Sequence, residues 1–189
     1  MTQYSRLIFF GPPGAGKGTQ AKKLSEDCEI PHIATGDILR SAIEQKTEVG
    51  KKAQSYVENG DLVPDEVLAE LVRDRLQKPD AANGWILDGF PRTLKQAQFL
   101  DQLLKELNST YDLVIYLDVS DDVLMERLLA RGRKDDTEET IRRRLDVFHN
   151  QTETLIHFYQ ERNHLLKVDG SQPLPQVTER IRSAMDGGC

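Results

Sequence analysis

The stretch Gly11-Pro-Pro-Gly-Ala-Gly-Lys-Gly-Thr-Gln20 constrains this chain more than any other. It follows the apolar run Leu7-Ile8-Phe9-Phe10 and precedes a helical pattern that begins Ala21-Lys22-Lys23-Leu24. Strand, glycine-rich turn and helix therefore come in the order that a phosphate-binding loop requires. Gly11, Gly14 and Gly16 let the backbone curl and turn its N–H groups toward an anion. A helix starting near Lys17 adds unpaired N–H groups and the positive end of its dipole, and the lysine brings a full charge to the β and γ phosphates. In the general pattern G-x-x-x-x-G-K-[ST] the last slot carries a hydroxyl that holds Mg²⁺. Here that slot is Gly18 and the hydroxyl comes at Thr19. The metal is then expected on phosphate oxygens, water and a carboxylate elsewhere.

A chain of 189 residues accommodates one α/β core with small insertions. The 38% hydrophobic content suffices for a core, and no apolar run approaches a membrane span. Met1–Arg6 lacks the charged-then-apolar layout of a secretory leader. Cys28 and Cys189 form no metal or redox pattern, so a reducing cytoplasmic setting is the expectation. The net charge of −6 argues against a broad nucleic-acid surface. It does not argue against a nucleotide, because Arg127, Arg131, Arg133, Arg142, Arg143 and Arg144 are gathered in one short segment.

Residues 6–10, 85–88, 113–118 and 165–168 read as buried strands, with a shorter one near 30–33 interrupted by Pro31. Helices are expected over 16–26, 36–45, 48–58, from Pro64 onward, from behind Pro91 to about Leu107, over 121–131, and over 174–185. Asp136, with Glu139 three residues later, resembles a capping box for one helix running to about Glu161. Residues 79–84 read as a polar loop and Gly187-Gly188-Cys189 as a frayed end. Alternating strands and helices imply a parallel sheet covered on both faces, with ligands beyond the carboxyl ends of its strands. Gly11–Lys17 and Asp88–Arg92 both follow strands directly, so both point to one crevice.

Asp88 ends an apolar strand, where a carboxylate orients Mg²⁺ directly or through water. Bringing several phosphates together requires neutralising their repulsion, and arginine suits this because its planar fork binds phosphate bidentately. Arg40, Arg92, Arg127, Arg131, Arg133 and Arg144 are the candidates. Each alone reads as a solvated surface charge, although Arg92 sits behind a proline at a strand end.

These residues resemble the adenylate kinase family from Leu7 to about Ile181. The matching segments are Gly11–Gln20, Thr35-Gly-Asp-Ile-Leu-Arg40, Asp88-Gly-Phe-Pro-Arg-Thr93, Arg133-Lys-Asp-Asp-Thr-Glu-Glu-Thr140 and Val168-Asp-Gly170. Gly18 is the family's own form of the loop. The resemblance implies a phosphate-loop fold with a central parallel five-stranded sheet, and the reaction MgATP + AMP ⇌ MgADP + ADP. It implies ATP phosphates on Gly14, Ala15, Gly16, Lys17, Gly18 and Thr19, with Gln172 near the ATP adenine. It implies an AMP-binding insertion over 34–63, a lid over 130–136, and a core over 1–33, 64–130 and 137–189. AMP would be gripped by Thr35, Arg40, Asp61, Leu62, Val63, Gly89, Phe90, Pro91, Arg92 and Gln96. Arg127 and Arg131 would serve ATP, while Arg133 and Arg144 would reach the phosphates of both nucleotides. Mg²⁺ would accompany ATP, oriented by Asp88, and a cytoplasmic monomer is the family expectation. Common bacterial forms carry several dozen lid residues between the arginines matching Arg131 and Arg133, sometimes with zinc; here only Gly132 intervenes. No zinc site is therefore expected, and His32, His149, His157 and His164 are not needed as ligands.

A pyrimidine monophosphate kinase shares this fold and loop, but Thr35 and Gln96 match the adenine-selecting pair, where the pyrimidine enzymes tend to carry Ala and Asn. A GTPase-like switch would need an Asn-Lys-x-Asp segment, and the chain has none. A non-catalytic scaffold would make the arginine set incidental.

Overall fold

Leu7 and Phe9 pack on one side of the first strand, β1 (Arg6–Phe10), and Ile8 and Phe10 on the other, and all four are buried. An unbroken apolar run in place of strict alternation is what a strand covered on both faces demands. The computed structural model describes residues 4–185; the expectation for Gly187-Gly188-Cys189 falls outside them.

Next in order come α1 (Lys17–Cys28), β2 (His32–Ala34), α2 (Thr35–Glu44), α3 (Glu48–Asn59), α4 (Asp65–Leu76), β3 (Trp85–Asp88) and α5 (Leu94–Glu106). After these come β4 (Leu113–Asp118), α6 (Asp121–Arg131), α7 (Glu138–Val147), α8 (Leu155–Gln160), β5 (Leu165–Asp169) and α9 (Leu174–Ala184). The strands form a five-stranded sheet in the order β2-β3-β1-β4-β5, parallel at every pairing. One face is covered by α2–α5 and α8 around Leu100, Leu155 and Tyr159, and the other by α1, α6, α7 and α9 around Leu24, Leu128 and Ile181. The chain reverses its direction of winding between β3 and β4, on either side of β1. The carboxyl end of β1 therefore opens into the crevice that a doubly wound sheet leaves for ligands.

Three local expectations are corrected. The second strand starts at His32, because Pro31 has no N–H and contributes only its carbonyl, which accepts from Ile86 N at 2.9 Å. Helix α1 runs on to Cys28 and stops where Glu29 takes φ 54°. The helix expected from Asp136 to Glu161 is two helices joined by a widened turn over Phe148–Thr152. That turn seats the Phe148 ring 6.0 Å from Phe10 in the core. Its cap is Thr137, whose Oγ1 accepts from Thr140 N at 3.2 Å. Asp136 is not free to cap, because its carboxylate is engaged by arginines. The polar loop 79–84 includes a single 3₁₀ turn, Pro79–Ala81.

Candidate active site

Gly14 and Gly16 hold φ 83° and 98°, left-handed values that side chains resist, and Gly16 hands the loop directly to α1. A Cβ on Gly14 would lie 2.9 Å from Leu128 of α6, so the loop is wedged against that helix as well as curled. Lys17 heads α1 and folds back over the loop, donating to the carbonyls of Gly11 and Pro12 at 2.8 Å each. Desolvation by burial lowers its pKa to about 8; Asp88 opposes the shift, and Arg92 and Arg131 add to it.

A cleft of about 970 Å³ opens over this loop. Gly14, Gly16, Lys17, Gly18 and Thr19 line it, together with Arg127 and Arg131 from α6. Thr35, Arg40, Asp61, Leu62 and Val63, between the end of β2 and the start of α4, also line it. Asp88, Gly89, Arg92, Arg133 and Arg144 line it as well. Ala15, Phe90, Gln96 and Gln172 do not line it, and Pro91 borders only a neighbouring cavity of about 70 Å³. Ala15 and Phe90 are buried. Gln172 is tied to Asp169 at 2.7 Å, in a turn whose hydrogen bonds from Ser171 and Gln172 hold the Asp169 carboxyl down at about 2. Leu174, two residues on, is the side chain of that segment that reaches the cleft.

Lys17, Arg40, Arg92, Arg127, Arg131 and Arg144 each have an oxygen partner. Arg92 Nε donates to Gly89 O at 2.8 Å and Arg127 Nη1 to Gly170 O at 2.9 Å. Arg40 is paired with Asp37. The Asp136 side chain has no exposed surface and accepts from Arg131 Nε and Nη2 at 2.8 and 2.7 Å, and from Arg144 Nη1 at 3.0 Å. Asp135 pairs with Arg144. Burial pushes both aspartates up, but the bonds from Arg131 and Arg144 outweigh it and leave their pKa values below the usual carboxylate range. Burial lowers the pKa of Arg92, and Arg144 and Arg40 lower it further against the pull of Asp88. Arg133 is lowered by the same desolvation and by Arg40 and Arg131. The positive groups are therefore close enough to perturb one another.

Sequence reasoning did not single out His32, Asp37, Asp135 or Asp136 for this site. The signal available was the run Arg131-Gly-Arg-Lys-Asp-Asp136, where acids beside arginines supply a resting counter-charge. His32 Nε2 lies 3.2 Å from Asp88 Oδ2, a pairing that only the β2–β3 register creates. A Cβ on Gly18 would lie 3.5 Å from that same Asp88 oxygen, so the glycine brings the carboxylate against the phosphate loop.

A sequence model of the adenylate kinase family matches residues 9–164. The chain belongs to the adenylate kinase family. Adenylate kinase 1 of Nostoc sp. is 53% identical over 181 residues, covering 96% of this chain and 98% of the relative. The adenylate kinase of Corynebacterium urealyticum is 52% identical over 181 residues, covering 96% and 99%. That of Leptospira biflexa is 50% identical over 180 residues, covering 93% and 97%. As an adenylate kinase the chain is a phosphotransferase acting between ATP and AMP, and the pyrimidine alternative is not favoured. No helix among the described residues is long and apolar enough to cross a membrane.

Proposed function

We propose that the enzyme holds ATP and AMP head to tail in the cleft and transfers the terminal phosphoryl by positioning and electrostatics, without a covalent intermediate. The observation that supports this is the convergence of Lys17, Arg40, Arg92, Arg127, Arg133 and Arg144 on one cleft over the glycine loop of an acidic chain. Gly14, Ala15, Gly16, Gly18 and Thr19 present backbone N–H groups to the ATP phosphates, with Lys17 across the β and γ oxygens. Residues 34–63 form the acceptor arm. There Thr35, the Asp61–Val63 strip and the backbone of Gly89–Pro91 frame AMP, Gln96 reads its base, and Arg40 and Arg92 hold its phosphate in line. Arg127, Arg131, Arg133 and Arg144 offset the charge that spreads over the transferred group as the segment 130–136 closes. Gln172 contributes backbone beside the ATP adenine.

The resting contacts give this a simple route. Phosphate oxygens replace the carbonyls of Gly11, Pro12, Gly89 and Gly170 as acceptors for Lys17, Arg92 and Arg127. The arginines are thus aimed before the nucleotides arrive, which lowers the reorganisation needed at the moment of transfer.

The residues present suit Mg²⁺. That ion keeps several waters and takes one or two carboxylates beside substrate phosphates. Asp88 is one carboxylate set against the loop at Gly18, with His32 fixing the orientation of its Oδ2. When bound beside Asp88, the ion would supply positive charge to neutralise the charge that develops on the transferred group. We place the enzyme in the cytoplasm as a monomer, the expectation that goes with the family.

A coupled assay with AMP, UMP and CMP at equal concentration tests the reading. AMP turning over fastest, with dependence on Mg²⁺, is the expected result. UMP turning over fastest would reverse the choice of acceptor.

A further inference from the structure

The Gln96 side chain has only 2% of its surface exposed and lies between two cleft-lining elements, β3's Asp88–Arg92 extension and the Val63–Leu68 segment that begins α4. Its Oε1 accepts from Arg92 N at 2.7 Å, and its Nε2 donates to Asp65 Oδ1 at 2.8 Å. A primary amide has two nearly isosteric orientations that exchange its acceptor and donor ends. The Arg92 N–H can only donate and the Asp65 carboxylate can only accept, so together they admit one orientation. The second Asp65 oxygen lies 3.3 Å from Lys95 Nζ, a second contact on the same carboxylate.

We propose that Asp65 is a positioning residue for base selectivity, acting through Gln96; this rests on the reading of Gln96 as the group that meets the acceptor base. In the locked orientation the amide keeps one N–H and one carbonyl lone pair to offer. Those match an edge that carries a ring-nitrogen acceptor beside an exocyclic amine, as adenine does. They oppose an edge that carries a ring N–H beside a carbonyl, as a 6-oxopurine does. Flipping the amide would reverse the preference while leaving the purine's shape and the phosphate grip untouched. A site built this way rejects the wrong edge through unpaired buried groups.

The test compares AMP with inosine monophosphate as acceptor, in wild type, Asp65→Ala, Asp65→Asn and Gln96→Leu, each checked by thermal melting. The ratio of kcat/KM for AMP over inosine monophosphate should fall at least ~10-fold in Asp65→Ala, the scale of one hydrogen bond to a charged group. The change should fall on KM for the monophosphate and not on KM for MgATP. Asp65→Asn keeps an acceptor oxygen and should retain most of the ratio. Gln96→Leu should lose it as fully as Asp65→Ala does. An unchanged ratio in Asp65→Ala, alongside a collapsed one in Gln96→Leu, would overturn the role of Asp65 and leave the base reading standing. An unchanged ratio in Gln96→Leu would overturn both. Equal losses toward both acceptors in Asp65→Ala would make Asp65 a structural residue only.

Discussion

Gly50→Ala perturbs the proposed acceptor arm without touching any group assigned to chemistry. Gly50 is in the first turn of α3, capped by Thr47 Oγ1 at 3.1 Å, where α3 crosses the end of α2. A Cβ there would lie 2.0 Å from the Ala42 carbonyl oxygen, 2.3 Å from its carbon and 2.6 Å from Ile43 N. Ordinary contact begins at 3.4 Å, so α2 and α3 must separate by more than 1 Å. The obstacle is backbone, which cannot swing aside as a side chain can. Overpacking of this kind costs about 3 kcal/mol. That energy falls on the arm, which meets the rest of the fold through modest contacts. These include Thr140 Oγ1 to Glu58 O at 3.4 Å and Arg143 Nη2 to Asp61 at 2.7 Å. At ~1.4 kcal/mol per tenfold in affinity, KM for AMP should rise ~10- to 100-fold while KM for ATP stays within about twofold. Steady-state kinetics with each substrate varied in turn provides the measurement. Equal rises in both constants, or none in either, would refute residues 34–63 as a separate acceptor arm.

Lys17→Ala or Arg92→Ala should lower turnover by at least ~10²-fold, the scale of removing one phosphate-stabilising group, and near-normal turnover in a folded variant would remove that residue from the mechanism. Because Lys17 has a folded pKa of about 8, below its ordinary 10.5, kcat/KM for ATP should fall as pH rises through 8. The stability of the nucleotide-free protein should have the opposite sign in the window between the two values. There the unfolded chain binds more protons, so melting curves should show stability rising with pH. Asp136→Ala removes the shared acceptor of Arg131 and Arg144 and should cost about 2–3 kcal/mol, discounted because Arg131 is partly exposed. In a chain of this size that lowers Tm by ~4–12 °C. The depressed Asp136 pKa places this contribution above the ordinary carboxylate range and removes it as pH falls through the folded value, so the variant's stability should decline less steeply in acid.

The strands were legible because a strand buried on both faces needs an uninterrupted apolar run, and Leu7–Phe10, Trp85–Leu87 and Leu113–Leu117 supply it. The glycine loop was legible because its backbone conformations exclude other residues, and the arginines because their clustering in an acidic chain is conspicuous. What escaped depends on contacts across the fold. The break after Val147 answers to a pocket beside Phe10, and Thr137 replaces Asp136 as a cap because arginines from two helices claim the aspartate. Asp65 and Gln96 stand 31 residues apart, and only the meeting of α4 with α5 pairs them. His32 and Asp88 are brought together by strand register. Hydrophobic period and motif spacing carry no record of such pairings.

Catalysis as proposed requires two phosphate-bearing partners to meet in one cleft. Initial rates of ADP formation with ATP alone, AMP alone and both together test that most directly. The predicted result is two ADP formed per ATP consumed, and only when both are present. ATP loss at the same rate with and without AMP, yielding one ADP and free phosphate, would contradict it.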